Sequence, residues 1–166
     1  MSSARIHSFP PVVRTDARIL VLGSMPGQAS LRAGEYYAHP RNQFWPIMEI
    51  LLGAGPNRPY QKRLDILQEN GIALWDVLHS CARAGSLDSD IRDERPNDIA
   101  GMLAAAPAIT RVYFNGAKAE AAFHRHVYVG CRPLSCFRLP STSPAHAGMS
   151  FDEKLKRWSV ITITGS

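Results

Sequence analysis

The chain is poor in the residues that build metal centres. Its three cysteines, Cys81, Cys131 and Cys136, form no Cys-x-x-Cys pair, which leaves no thiolate set for a structural zinc or a four-cysteine iron–sulfur cluster. An odd, scattered set of this kind fits buried free thiols in a reducing cytosol. The segment Met1-Ser2-Ser3-Ala4-Arg5-Ile6-His7 lacks the apolar core of a signal peptide. No apolar run approaches the ~20 residues a membrane helix needs. The expected location is therefore cytoplasmic, with no membrane partner.

Other absences narrow the chemistry. The glycine-rich turn at Gly23-Ser24-Met25-Pro26-Gly27 has neither the Gly-Lys-Ser/Thr ending of a nucleotide-triphosphate loop nor the Gly-x-Gly-x-x-Gly of a dinucleotide site. No Gly-x-Ser-x-Gly elbow offers a nucleophilic serine. The acidic residues do not group as a catalytic pair. Asp88, Asp90, Asp93 and Glu94 crowd a polar stretch and read as a solvated face, while Asp76 stands apart beside Trp75. With no metal-ligand spacing among the His and Cys residues, no metal and no cofactor is expected. There is no internal repeat, low-complexity tract or linker, so residues 1–166 read as a single domain.

What is present reads as an alternation of strands and helices. Arg18-Ile19-Leu20-Val21-Leu22 is an apolar run of buried-strand length. Further strands are predicted over residues 72–77, 111–116 and 134–139, and a short final one over 160–164. A long loop is expected after the first strand, through Pro40. A helix starts near Asn42 as its cap, with Ile47, Met48, Ile50 and Leu51 as its buried stripe. Residues 59–69 form a second helix, with Leu64 and Leu67 inward and Gly71 past its end. Residues 84–97 read as loop, Asn97 as the cap of a helix running to Ala106, and residues 117–126 as a helix. Ser150 with Glu153 is a capping-box pattern for a last helix carrying Leu155 and Trp158. This order predicts an α/β fold, a three-layer α/β/α sandwich around a mainly parallel four-stranded sheet.

In such a sheet the strand ends share one edge, where open α/β folds bind ligands. Gly23-Ser24, Trp75-Asp76, Asn115-Gly116 and Pro140-Ser141-Thr142-Ser143 therefore converge. The segment Tyr36-Tyr37-Ala38-His39-Pro40-Arg41-Asn42-Gln43-Phe44-Trp45 adds aromatics, a cation and an amide. Those groups suit a flat, polar, uncharged ring such as a nucleobase. An Asn42 amide can orient a water by donating and accepting, or cap a helix, or both. Tyr37 can stack on a base, whereas Phe44 and Trp45 read as core. Asn115 can pair with a base edge or serve as a turn residue. The hydroxyl-rich Ser141-Thr142-Ser143-Pro144-Ala145-His146 suits phosphate contact and wedging into a duplex. The net charge of +5 is compatible with nucleic acid without requiring it.

These motifs resemble the uracil-DNA glycosylase superfamily, and within it the hypoxanthine-DNA glycosylase family. The resemblance rests on Gly23-Ser24-Met25-Pro26-Gly27, Ser30-Leu31 and Pro40-Arg41-Asn42. It extends through residues 72–77, 84–91, Phe114-Asn115-Gly116 and residues 139–145. A sister family carries Asn within its Gly-x-Asn-Pro-Gly turn where this chain has Met25, and His146 stands where the family pattern has Asn. The resemblance implies a monofunctional DNA repair enzyme. It would flip out deaminated bases, chiefly hypoxanthine and also uracil, and hydrolyse the N-glycosidic bond to leave an abasic site. It implies Asn42 as the catalytic residue and Tyr37, Asn115, Ser24 and Met25 as base contacts. Ser30, Ser141, Ser143, Pro144, Ala145 and His146 would be DNA contacts, in a monomer that needs neither metal nor cofactor. Two other readings remain: a damaged-DNA-binding module on the same fold without turnover, and a hydrolase of free nucleosides.

Overall fold

The structure, a computed structural model, describes residues 5–162. In chain order the elements are β1 (Arg5–His7), β2 (Ile19–Gly23), α1 (Gln28–Ala33), α2 (Phe44–Leu52), α3 (Tyr60–Glu69), β3 (Ile72–Asp76) and β4 (Leu78–Ala82). There follow β5 (Arg92–Pro96), α4 (Ile99–Ala105), β6 (Arg111–Asn115), α5 (Ala117–His126), β7 (Ser135–Leu139) and α6 (Phe151–Trp158). Strands β3-β2-β6-β7 form a four-stranded, wholly parallel sheet.

Both faces of β2, β3 and β6 are covered, which is why these strands read as unbroken apolar runs, whereas the edge strand β7 is largely exposed. Leu20 and Leu22 of β2, with Ala73, Val112 and Phe114, pack against Leu103, Ala119 and Phe123 of α4 and α5. Ile19 and Val21, with Ile72, Leu74 and Tyr113, face the other way. There they meet Phe44, Ile47 and Met48 of α2, Leu64 and Leu67 of α3, and Trp158 of α6. Each such fully buried large aliphatic contributes about 1.5–3 kcal/mol.

A second sheet was not anticipated. β1, β4 and β5 pair antiparallel in the order β1-β4-β5. The expected loop over residues 84–97 thus contains β5, an edge strand with the irregular register of a bulge and with Asp93 at φ +51°. Its sequence, Arg-Asp-Glu-Arg-Pro, is mostly solvent-facing and carries no apolar alternation to betray a strand. Charges and proline are how edge strands avoid further pairing. Glu94 is not part of a solvated face either: it meets Lys118 Nζ at 2.6 Å and His126 Nε2 at 2.7 Å. Burial alone would raise its carboxyl, but those two partners bring it below its usual range.

Further corrections are local. The expected loop before Pro40 holds the short α1, which ends at Gly34 with φ +69°. Ile50 is 59% exposed, because a step of ~100° per residue turns it away from the stripe of Phe44, Ile47, Met48 and Leu51. Asp98, not Asn97, caps α4, its side chain accepting from Gly101 N–H. Asn97 instead donates to the carbonyls of Asp76 and Leu78 at 2.8 and 3.1 Å, tying the two sheets together where the chain passes between them. Ser150 caps α6 as the pattern predicts, accepting from Glu153 N–H at 3.2 Å. Residues 159–162 form a 3-10 turn rather than a strand, and the rest of that expected strand lies outside the described residues. Of the cysteines only Cys81 is buried; Cys131 and Cys136 are exposed.

Candidate active site

A cavity of about 500 Å³ opens at the carboxyl edge of the parallel sheet, within the usual ~300–1,000 Å³ range of ligand pockets. Gly23 and Ser24 bring it the end of β2, Asp76 the end of β3, Asn115 and Gly116 the end of β6, and Ser141 to His146 the loop after β7. Every residue singled out from the sequence lines it: Asn42, Tyr37, Asn115, Ser24, Met25, Ser30, Ser141, Ser143, Pro144, Ala145 and His146.

Asn42 is half-buried at the start of α2. Its Oδ1 accepts from Phe44 N–H at 2.9 Å, so it caps the helix although Gln43 is the terminal residue. One lone pair is spent on this bond, leaving the second and both amide N–H groups available by the group's ordinary valence. The helix cap and the orientation of a water are compatible in one side chain.

Tyr37 precedes it with φ +56°, a left-handed backbone that is costly for a bulky residue and recurs at functional sites. Its ring lies 4.2 Å from that of Phe44, tilted by 33°. Its hydroxyl is buried without a hydrogen-bond partner. Burial, and then the charge of Asp76, hold the phenol well above its usual range. Phe44 and Trp45 are core, as expected, and Tyr36 joins them there.

The Asn115 amide is engaged twice with one residue. Its Nδ2 donates to Thr142 Oγ1 at 3.0 Å and its Oδ1 accepts from Thr142 N–H at 3.0 Å. Asn115 therefore clamps the loop after β7 to the end of β6, and Thr142, which the sequence offered only as part of the hydroxyl-rich loop, is its buried counterpart. Gln43 N–H donates to Thr142 O at 3.0 Å, joining the same loop to α2. Gly116, at φ +97°, lets the loop approach; a Cβ there would stand 3.1 Å from Ser141 Cβ. From α6, Trp158 Nε1 donates to Pro140 O at 2.9 Å and the buried Lys154 Nζ to His146 O at 2.7 Å. The loop is thus held at both ends while Ala145 and His146 stay exposed.

The opposite wall has its own ties. Ser24 Oγ donates to Asp88 Oδ1 at 2.7 Å, so Asp88, solvent-exposed as expected, also lines the pocket. Arg83 is buried and donates to the carbonyls of Pro26 and Gly85, fixing the glycine-rich turn to the loop after β4. Ser30 is buried, with its hydroxyl accepting from Ala38 N–H at 3.0 Å; its proton is what it can still offer. Asp76 is buried on the pocket floor, its Oδ2 without a partner. Burial first, and then the charge of Asp88, push its carboxyl up to about 7 against the opposing pull of Arg83. Asp76, Asp88 and Thr142 lay within the motif stretches without being assigned a role of their own, Asp76 standing out as a lone acid ending an apolar strand beside Trp75, and Lys154 left no signal.

Among the described residues no group of His, Cys, Asp and Glu is placed to hold a metal ion, and no helix is long and apolar enough to cross a membrane.

A family model described as the uracil DNA glycosylase superfamily matches residues 10–162. The chain is 41% identical over 113 residues to a protein of Methanosarcina barkeri named hypoxanthine DNA glycosylase, covering 68% of this chain and 72% of that one. It is 40% identical over 114 residues to a protein of the same name from Methanosarcina acetivorans, with the same coverage. A solution NMR structure of a candidate uracil DNA glycosylase from Methanosarcina acetivorans superposes with a TM-score of 0.79. That structure shares 32% identity, and the match covers 96% of this chain and 97% of that one.

Proposed function

The chain belongs to the uracil DNA glycosylase superfamily, and on that premise we propose that it removes deaminated bases from DNA, hypoxanthine first and uracil as well. The observation that carries this reading is the convergence of every candidate site residue on one cavity at the sheet edge, together with the name shared by relatives at 41% and 40% identity.

The damaged nucleotide is flipped out of the duplex, at a cost of a few kcal/mol. Ser141, Ser143 and Ser30 contact the DNA backbone, while Pro144, Ala145 and His146 occupy the gap left in the duplex. The clamped loop suits this task, since a wedge must not yield when the bases are forced apart. In the pocket the base stacks on Tyr37, whose other neighbour is Phe44, and meets backbone groups around Ser24 and Met25. Asn115 contributes chiefly by holding the wall, with whatever donor and acceptor capacity its Thr142 bonds leave.

The N-glycosidic bond stretches toward an oxocarbenium-like sugar, as in other glycosidases. Negative charge grows on the departing base, and fixed dipoles stabilise it without reorganising. Asn42 orients the water that attacks the sugar carbon. An amide suits this dissociative chemistry because the water attacks a centre that is already cationic and needs little deprotonation beforehand. Among the described residues the one lysine lining the pocket, Lys118, is engaged with Glu94 at 2.6 Å, which supports hydrolysis to an abasic site rather than amine attack with strand cleavage. The enzyme acts inside the cell as a monomer.

The test is an end-labelled duplex with one deoxyinosine. The expected product is an abasic site that cleaves only after alkali. An intact strand after alkali treatment, with no release from uracil-containing DNA either, would remove the assignment.

A further inference from the structure

Of the exposed large apolar residues among those described, Ile50, Leu87, Tyr128 and Phe137, Leu87 alone lines the cavity at the sheet edge. Single exposed apolar groups are ordinary on protein surfaces; place and anchoring set this one apart. Leu87 is 51% exposed and is the one apolar side chain of Gly85-Ser86-Leu87-Asp88-Ser89-Asp90. That segment joins β4 to β5 on the wall across from the loop after β7. Its backbone is tied down on both sides of Leu87. Before it, the buried Arg83 donates to Gly85 O, and Gln28 N–H donates to Ser86 Oγ at 2.8 Å. After it, Asp88 accepts from Ser24 Oγ at 2.7 Å, and Asp90 N–H donates to Leu87 O at 3.1 Å to close a 3-10 turn over Asp88–Asp90. Ile91 then returns to the core. The chain is fixed where the leucine is presented, and the leucine itself is left half in water.

Resting on the function proposed above, we propose that Leu87 is a second wedge. When the damaged nucleotide leaves the duplex, this side chain enters the base stack from the wall opposite Pro144, Ala145 and His146. Leucine is among the apolar side chains that proteins insert between base steps. The loop after β7 brings a pyrrolidine ring, a methyl and an imidazole to the gap, none of them a branched aliphatic. Leu87 supplies that group from the other side, so the duplex is held open by a pinch rather than by one loop. Because the backbone on either side is already ordered, little conformational freedom is lost on insertion. Burying the exposed half of a leucine is worth about 4- to 12-fold in the flipped population. The gain exists only where a flipped base can fall back into a paired stack. A single strand has no partner base to return to, so Leu87 has little to add there.

The test compares wild type, Leu87→Ala and Leu87→Met at single turnover on one deoxyinosine strand, presented alone and in a duplex opposite cytosine. Leu87→Ala should lower base release from the duplex by about 4- to 12-fold and leave release from the single strand unchanged. Leu87→Met keeps an apolar group of similar reach and should restore the duplex rate. Ile50→Ala, at an exposed apolar site outside the cavity, should change neither rate. If wild type does not act on the single strand, a second readout decides. A 2-aminopurine beside the deoxyinosine brightens as its neighbour leaves the stack. In stopped flow at saturating protein, before base release, it should brighten less with Leu87→Ala than with wild type. An unchanged duplex rate, an equal loss on duplex and single strand, or an equal 2-aminopurine rise overturns the wedge and leaves the glycosylase reading intact. A wild type inactive on every deaminated base, in either form of DNA, overturns the function on which the wedge rests and the wedge with it.

Discussion

Asp76 should make the protein less stable as the pH rises, and Asp76→Asn should remove that dependence. The carboxyl titrates at about 7 in the folded protein against an ordinary value of 3.8. Between those values the folded state holds a proton that the unfolded chain has released, so unfolding free energy falls as pH rises through this window. Below about 4 both states are protonated and the cost is absent; above about 7 it is complete. At about 1.4 kcal/mol per decade, the ceiling on that cost is about 4 kcal/mol. The titratable and charged neighbours coupled to the acid are Asp88 and Arg83, and its charge is also felt by Tyr36, Tyr37 and Tyr60; the three phenols stay neutral across the window, their values being raised. Urea unfolding of wild type and Asp76→Asn from pH 4 to 9 reads the effect. The variant should gain on wild type progressively between pH 4 and 7, by an amount approaching the ceiling, and hold that gain above 7. A difference between the two proteins that does not change with pH refutes the buried-acid argument.

Three further outcomes follow from the same geometry. Thr142→Val leaves Asn115 Nδ2 without its acceptor and should cost about 1–3 kcal/mol, read by chemical denaturation, with faster proteolysis in the loop after β7. Gly23→Ala pushes a methyl into the Asp76 carboxyl, 2.5 Å from Oδ1; overpacking of this kind costs about 1–3 kcal/mol, and base release should fall even where the protein remains folded. Affinity for an undamaged duplex should drop steeply between 50 and 200 mM salt, as phosphate contacts release counterions, whereas a hydrolase of free nucleosides would show activity on inosine and little salt response.

Three strands of the parallel sheet were legible because β2, β3 and β6 are buried on both faces and carry continuous apolar runs that only a covered strand tolerates. The ends of those strands carried the site as well, since glycine, asparagine and acid interrupt an apolar run only where a turn or a ligand requires them. β5 was illegible for the converse reason: an exposed edge strand of charged residues has no alternation to read. A related limit left the individual roles of Thr142, Asp88 and Lys154 unread, because those roles are made by partners distant in the chain, such as Asn115, Ser24 and the backbone at His146. Asn42 shows how the two kinds of information meet. Its cap on α2 follows from local pattern, whereas its place on the wall of the cavity follows only from the resemblance and the fold.

The central claim is that Asn42 orients the attacking water, and single-turnover release of hypoxanthine from a deoxyinosine duplex tests it most directly. Asn42→Ser is the informative variant, because serine preserves the helix cap and removes the amide. The account predicts a rate at least about 100-fold below wild type, the usual cost of losing one preorganised catalytic group, with binding to the duplex unchanged. A folded Asn42→Ser protein that releases hypoxanthine at the wild-type rate would contradict it.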